Sequence, residues 1–137
     1  PEFYVSVEGS ISGLVEHPSG GAANAYIAEL TSAVNGIPYK LEFICLEVPT
    51  GGDPDINLVC SATGTTAENA AVTSGTVLFN NGDLTLGLHN EADAGATLAA
   101  LSKKFLYLTS GDATEAAYTA GKLVIKIHGA AFDFENG

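Results

Sequence analysis

The sequence contains no arginine, glutamine, tryptophan or methionine, and its five basic residues are all lysines. Sixteen aspartates and glutamates oppose these lysines, which gives a net charge of −11. Nucleic-acid binding relies on basic patches that neutralise phosphates, and arginine is a preferred residue for reading bases. The composition therefore argues against a nucleic-acid-binding protein and against a phosphate-ligand site. We expect the acidic surface to provide solubility and repulsion between copies, with attraction to a basic surface or to cations as the functional alternative.

Long apolar runs are also missing. No stretch approaches the ~18 consecutive apolar residues of a membrane-spanning helix, so the sequence predicts no membrane partner. No charged-then-apolar leader is visible, and we expect a cytosolic start at Pro1. At 137 residues the chain is predicted to form one β-rich domain, 1–137. Its apolar fraction is typical of globular proteins and predicts a folded core.

Cysteine is scarce, with Cys45 and Cys60 on either side of the turn-rich stretch Pro49–Asp55. If that stretch is a hairpin loop, the two cysteines lie opposite each other, and a cross-strand disulfide is one outcome. Because no secretory signal is visible, we favour two buried free thiols that act as small hydrophobic side chains.

Most of the recognisable patterns in the sequence predict β-strands. Glu2–Glu8 alternates apolar and polar residues, as a half-buried strand does. Ile37–Val48 predicts a long strand that is apolar on both faces towards its end, with Ile56–Ala62 as its antiparallel partner. Phe105–Thr109 and Leu123–Ile127 are rich in apolar, aromatic and β-branched residues and predict two further strands.

Turn and helix signals complete the prediction. Asn81-Gly82 is a type I′ turn signal and predicts a hairpin over Thr76–Leu88. Apolar residues at helical spacing predict a helix over Ala22–Val34, and Ala96–Leu101 suggests a short helical turn. Together these patterns predict a mainly β protein, a β-sandwich or jelly-roll-like barrel of about seven strands with one or two short helices.

The three histidines, His17, His89 and His128, form no pair at metal-ligand spacing, and neither cysteine forms a C-x-x-C motif. We therefore expect no metal site and no cofactor. The Asp-Pro-Asp sequence at 53–55 has only part of a calcium-binding loop and favours a turn.

Known catalytic motifs are absent as well. The chain has no G-x-S-x-G, no phosphate-binding loop and no G-x-G-x-x-G sequence. The polar segment His89–Asp93 is where an acid/base pair would lie if the protein were a hydrolase. Without a motif that supports catalysis, we predict a protein that is not an enzyme and has no catalytic residues.

Two segments near the C-terminus carry a family resemblance. Phe105–Gly111, with the sequence FLYLTSG, and Ala116–Gly129, with the sequence AAYTAGKLVIKIHG, resemble small virion structural proteins of tailed bacteriophages. The nearest role is that of a capsid cement, or decoration, protein. The resemblance implies a non-enzymatic β-rich protein, without a cofactor, that binds the outside of the capsid and stabilises contacts between its subunits. It implies the major capsid protein as partner, a dimer or trimer of this chain, and a place on the virion surface after assembly in the host cytoplasm.

Aromatic residues near the two ends are the candidate partner-binding residues: Phe3 and Tyr4, and Phe132 and Phe134. Aromatic side chains are frequent hot spots of protein–protein interfaces. The alternative is that the same four side chains belong to the protein's own core.

A second hypothesis is a carbohydrate-binding or host-attachment β-sandwich. In such a module, exposed tyrosines such as Tyr4, Tyr39 or Tyr118 would stack on sugar rings. The absence of tryptophan argues against this hypothesis.

Overall fold

The computed structural model describes residues 2–6, 14–15, 26–31, 37–66, 72–93, 104–110 and 118–130. These residues form nine strands in two sheets that do not close into a barrel, and they contain no helix. The predicted mainly β class, a β-sandwich, is confirmed. None of the described residues belongs to a helix long and apolar enough to span a membrane. The strands are β1 Glu2–Ser6, β2 Leu14–Val15, β3 Ala28–Leu30, β4 Ile37–Thr50, β5 Ile56–Ser61, β6 Thr76–Phe79, β7 His89–Asp93, β8 Lys104–Ser110 and β9 Ala120–Ala130.

The first sheet has the order β1-β9-β4-β7, and all its pairs are antiparallel. Its long central pair is irregular, since β4 advances 13 residues from Ile37 to Thr50 while β9 advances 10 from Ala120 to Ala130. The three additional residues of β4 produce three register shifts, at Pro38/Lys40, Cys45/Glu47 and Glu47/Thr50. Such bulges bend a strand and redirect the side chains beside them.

The second sheet is built on β8. Strand β5 pairs with one edge of β8 along Phe105–Ser110, and β6 continues the sheet beyond β5. The short strand β3 pairs with β8 at residues 104–106, and β2 pairs with it at residues 108 and 109. Because β5 already occupies one edge of β8 over this stretch, both short strands must lie along the other edge. The predicted strands at residues 37–48, 105–109 and 123–127 are confirmed, with bounds that differ by a few residues, and the strand predicted over 2–8 is confirmed over its described part, 2–6.

The core lies between the sheets. Alternate residues of β4 and β9 face β5 and β8, as the two-residue period of a strand requires. Phe43 of the first sheet meets Phe79 of the second with ring centroids 6.1 Å apart. Burying each large apolar side chain contributes about 1.5–3 kcal/mol. The fully buried members include Leu41, Phe43, Cys45, Ile56, Leu58, Leu106, Leu108 and Ile125.

The predicted pairing of β4 with the strand after it is wrong. Strand β4 pairs with β7 and β9, whereas β5 pairs with β6 and β8 in the opposite sheet. The Pro- and Gly-containing segment 51–55 therefore connects the two sheets, which pack about 10 Å apart, instead of reversing within one. Cys45 and Cys60 are free and buried, as predicted, but they are not cross-strand neighbours. Burial raises the pKa of both thiols.

The predicted hairpin over Thr76–Leu88 is also wrong. Gly82 does adopt the positive φ, 65°, of a turn. The chain then crosses to the first sheet, where β7 pairs with β4, while β6 pairs with β5. Asn81 anchors the crossing, because its side-chain amide donates to the Ile56 carbonyl oxygen at 2.8 Å. A turn signal specifies local backbone geometry and not which strand the chain joins next.

The helix predicted over Ala22–Val34 is wrong where the structure describes it. Residues 28–30 form β3, with Ala28 and Leu30 buried and Glu29 exposed. Over so few residues, helical and strand spacing look alike, and the open edge of β8 supplies the backbone partners that decide between them. The rest of that segment and the helical turn predicted at Ala96–Leu101 lie outside the described residues.

Candidate functional site

Four ionisable side chains meet on the first sheet, on the face opposite the core. We call Glu42, His89, Glu91 and His128 the His–Glu cluster. Strand β4 lies between β7 and β9, and its register places Glu42 directly opposite Glu91 of β7. His89 of β7 and His128 of β9 pair with β4 residues two positions from Glu42, on the two sides of β4. They are therefore diagonal neighbours of Glu42, within reach of its carboxylate.

Glu42 is the centre of the cluster. Its Oε1 lies 2.8 Å from Nε2 of His89, and its Oε2 lies 2.6 Å from Nε2 of His128. An ionised carboxylate only accepts hydrogen bonds, so each imidazole presents an Nε2–H to it. His89 Nε2 is also 3.3 Å from Oε1 of Glu91, and the same oxygen lies 3.5 Å from Nζ of Lys40.

Exposure differs sharply within the cluster. The Glu42 side chain is 11 % exposed, against 43 % for His89 and 47 % for Glu91. Hydrogen bonds from His128 and then His89 lower the pKa of Glu42 from 4.5 to about 2, with a smaller contribution from the charge of Lys40, although burial acts to raise it. Glu42 is therefore an ionised carboxylate at neutral pH, held under two half-exposed imidazoles.

Tyr39 borders the cluster because of a bulge. Strict alternation would place it on the core face together with Leu41, but the register shift between Pro38 and Lys40 interrupts the alternation. Its side chain is instead 48 % exposed, and its ring centroid lies 6.0 Å from that of His128 at an interplanar angle of 47°.

The chemistry of this arrangement is that of metal coordination or proton exchange. Ligand atoms of Glu42, His89 and Glu91 all lie within 4.8 Å of one another. Imidazole nitrogen and carboxylate oxygen are both ligands for zinc and related ions. The hydrolase hypothesis placed an acid/base pair at His89–Asp93, and the structure pairs His89 with the carboxylate of Glu42.

The predicted partner-binding residues lie elsewhere. Phe3 and Tyr4 belong to β1, which forms one edge of the first sheet opposite β9. Phe132 and Phe134 lie outside the described residues. Strand β1 is separated from β7 by β9 and β4, so Phe3 and Tyr4 are on the other edge of the sheet from His89 and Glu91. The role of all four residues in partner binding stays a prediction.

Sequence reasoning missed Glu42 and His128 as partners of His89. The three residues are far apart in the chain, and only the register of β4 with β7 and β9 joins them. Two weak signals were present in the sequence. His89 and Glu91 alternate and so share a face if the segment is a strand, and Glu42 is a charged residue within the apolar run of β4.

Two further sequence predictions have clear outcomes. Tyr118 is 2 % exposed and its hydroxyl donates to the Asp53 carbonyl oxygen at 2.7 Å, so its proposed role as a platform for sugars is wrong. The turn predicted at 53–55 is confirmed, since Asp53 Oδ1 accepts a hydrogen bond from the backbone N–H of Asp55 at 2.8 Å. Of the tyrosines in that hypothesis, Tyr39 has an exposed side chain.

Comparisons with protein-family profiles, with curated proteins and with solved structures gave no match to this chain. The features of the molecule that bear on its function are therefore its fold, its surface and the His–Glu cluster. The two segments on which the expected family resemblance depends, Phe105–Gly111 and Ala116–Gly129, include most of β8 and of β9, and the resemblance stays a prediction.

Proposed function

We propose that this protein is a non-enzymatic virion structural protein that binds the outside of a phage capsid and stabilises contacts between capsid subunits. The observation that carries the proposal is a pair of exposed leucines on neighbouring backbone segments. Leu46 is 53 % exposed and Leu86 is 75 % exposed. We call these two residues the Leu46–Leu86 patch.

The backbone holds the patch in place. The Gly87 N–H donates to the Cys45 carbonyl oxygen, and the Cys45 N–H donates to the Leu88 carbonyl oxygen, both at 2.9 Å. Gly87 has a φ of 80°, a conformation that glycine adopts without strain and that fixes the turn carrying Leu86. A rigid apolar projection loses little conformational entropy when a partner covers it, which favours binding.

The charge of the protein suggests how such a partner is selected. A net charge of −11 favours docking on basic surfaces. A small apolar contact on an acidic protein is thus suited to a partner that offers an apolar pocket on a basic surface. We assign that role to the major capsid protein, with Phe3, Tyr4, Phe132 and Phe134 as additional anchors.

Edge strands offer a second type of contact. Within the described residues, β1 pairs with β9 alone and β7 pairs with β4 alone. The free side of such a strand can add a strand from another chain through backbone hydrogen bonds. A dimer or trimer joined through β1 would bring Phe3 and Tyr4 to the subunit interface, as the proposal requires.

The experiment is native mass spectrometry of the whole chain, followed by co-sedimentation with a panel of tailed-phage shells stripped of their own decoration proteins. We expect a dimer or trimer that sediments with at least one shell. The Leu86→Ser and Leu46→Ser variants should bind that shell at least about tenfold more weakly, because truncating a hot-spot residue costs about 2 kcal/mol or more and a tenfold change corresponds to about 1.4 kcal/mol.

The matched control is Val77→Ser, which removes an equally exposed apolar side chain, 54 % exposed, from β6 of the other sheet. This variant should bind as the wild type does. A monomer that sediments with none of the shells would overturn the proposal. Equal losses in Leu86→Ser and Val77→Ser would show non-specific adhesion and count against the patch.

A further inference from the structure

We propose that Glu42, His89 and Glu91 bind a divalent transition-metal ion of the zinc class on the outer face of the first sheet. The proposal depends on the geometry of the His–Glu cluster and not on the proposed virion function. Three different atoms converge there: Glu42 Oε1, His89 Nε2 and Glu91 Oε1. All three come from adjacent strands of one sheet, β4 and β7, and the register of these strands brings the three side chains together.

The spacing of these atoms fits a small metal ion. A tetrahedral zinc site with metal–ligand bonds of about 2.1 Å has ligand atoms about 3.4 Å apart. His89 Nε2 and Glu91 Oε1 are 3.3 Å apart, and His89 Nε2 and Glu42 Oε1 are 2.8 Å apart. The first distance needs no change, and the second needs to open by roughly half an ångström. The half-exposed His89 can make that adjustment by rotating its ring. Its Nε2 gives up the proton that it presents to Glu42, either to Nδ1 or to solvent, when the ion binds.

Partial exposure decides what kind of site this would be. Glu42 lies at the bottom, with its side chain 11 % exposed, and His89 and Glu91 lie above it at 43 % and 47 %. An ion held between them has three protein ligands and at least one position open to solvent. Three protein ligands with an open position for water are typical of reactive zinc sites, whereas structural sites have four.

His128 is a positioning residue in this proposal. Its Nε2 lies 2.6 Å from Oε2 of Glu42 and donates to this oxygen, which His89 does not contact. A donor on the outer oxygen of a ligating carboxylate fixes its orientation, and the loss of such an outer partner commonly costs 10–100-fold in metal affinity. His128 therefore directs Oε1 of Glu42 towards the proposed ion.

Lys40 acts in the opposite direction. Its Nζ lies 3.5 Å from Oε1 of Glu91, so its ammonium group already neutralises part of the negative charge that would attract an ion. A cation this close to the proposed ion repels it and weakens binding. Removing the positive charge in Lys40→Met should therefore tighten metal binding.

The test is isothermal titration calorimetry with Zn²⁺ on the whole chain, after dialysis against a chelator, with circular dichroism to verify the fold of every variant. We expect one ion per chain in the wild type. Glu91→Gln and His89→Ala, both at half-exposed positions, should weaken binding by more than about 100-fold, which is beyond the range for outer partners. Substituting Co²⁺ should give a visible absorption spectrum that both variants lose.

Two comparisons distinguish a specific site from non-specific attraction of the ion to acidic side chains. Glu47→Gln is the matched control, because Glu47 is on β4 with Glu42 and forms an exposed ion pair with Lys122, at 3.6 Å, as Glu91 does with Lys40. It should bind as the wild type does. For the positioning role, His128→Leu should lose about 10–100-fold, and His128→Gln, whose amide can still donate, should recover part of the loss.

Several results would overturn the proposal. One is the binding of more or fewer ions than one per chain, with the number of bound ions reduced as much by Glu47→Gln as by Glu91→Gln. Another is wild-type affinity in His89→Ala. Unchanged or weaker binding in Lys40→Met would contradict the position of the ion beside Glu91.

Discussion

The side chains on the two faces of β4 lie in two different environments. On the inner face Leu41, Phe43 and Cys45 are fully buried against the second sheet. On the outer face Glu42 is nearly as inaccessible, yet two histidines on two different strands cover it. The inner face is closed by many interchangeable apolar contacts, and the outer face by two hydrogen bonds between particular atoms.

The difference shows what each face tolerates. Apolar burial is non-directional and scales with the area removed from water, so another apolar side chain of similar volume can substitute. A carboxylate that accepts two hydrogen bonds needs donors at defined distances and angles, so no apolar residue can replace it. The inner face therefore supplies stability, while the outer face supplies a specific chemical arrangement.

The largest effect should come from the inner face. Phe43→Ala removes a fully buried ring that contacts Phe79 across the two sheets, and we expect it to lower the free energy of unfolding by about 3–5 kcal/mol. Urea denaturation measures the change. Leu46→Ala, at an exposed position of the same strand, is the control and should change the value by less than about 1 kcal/mol. Similar losses in both variants would mean that the two faces of β4 do not differ in packing.

The carboxylate of Glu42 on the outer face should make the stability of the fold depend on pH. Because the pKa of Glu42 is lowered to about 2 in the folded protein from 4.5, the carboxylate stabilises the fold above pH 4.5. That contribution is lost as the pH falls from 4.5 towards 2. In chelator-treated protein, wild-type stability should thus fall more steeply over this range than that of Glu42→Gln.

Urea titrations at several pH values measure the slopes. The Glu47→Gln variant removes a carboxylate from the same strand and is the control, and its curve should follow that of the wild type. Parallel curves for the wild type and Glu42→Gln would show that the two histidines do not stabilise the ionised carboxylate.

A smaller change in the free energy of unfolding should follow from removing the Tyr118 hydroxyl on the core side of the sheet. The Tyr118 ring belongs to the core, and its hydroxyl donates to the Asp53 carbonyl oxygen at 2.7 Å. Tyr118→Phe should lower the free energy of unfolding by about 0.5–1.5 kcal/mol, because it removes one buried hydrogen bond and leaves the apolar contacts in place. Thermal unfolding measures the change. Tyr39→Phe, at a half-exposed ring, should leave it within about 0.5 kcal/mol, and a loss as large as that of Tyr118→Phe would contradict the distinction.

The smallest effect should come from the exposed ion pair of the first sheet. Lys122 Nζ lies 3.6 Å from Oε2 of Glu47, and the two side chains are 53 % and 42 % exposed. Solvent screens such pairs, so Lys122→Met should change stability by less than about 1 kcal/mol, and raising the salt concentration should reduce even that difference. A larger loss, measured by urea denaturation at low salt, would show that this pair resembles the His–Glu cluster more than an ordinary surface contact.

The strands could be predicted because their patterns are local. Alternation in Glu2–Ser6 and the β-branched and aromatic runs of β4, β8 and β9 are visible in the residues themselves. The pairing of strands could not be predicted. The turn signals before β5 and after β6 marked reversals correctly, yet both connections cross between sheets. The helix predicted over residues 22–34 is wrong at residues 28–30 for a related reason, since pairing with the edge of β8 makes that short segment the strand β3.

The candidate site was predictable only in part. His89 and Glu91 are two residues apart, and any strand places them on one face. Glu42 and His128 joined them only because β4 lies between β7 and β9 in one particular register. A shift of that register by one residue would turn every side chain of β7 to the other face and remove the cluster.

The sequence alone determined that the protein is acidic, mainly β and provided with enough apolar residues for one core, because composition and a two-residue period are properties of short stretches of chain. The tertiary structure alone decided which strands are neighbours, that Cys45 and Cys60 are not paired across a hairpin, and that Glu42 lies between two histidines. Backbone hydrogen bonds between strands are the same for any sequence. Register is therefore chosen by the packing of the whole sandwich, and the residues that meet on its outer face follow from that choice.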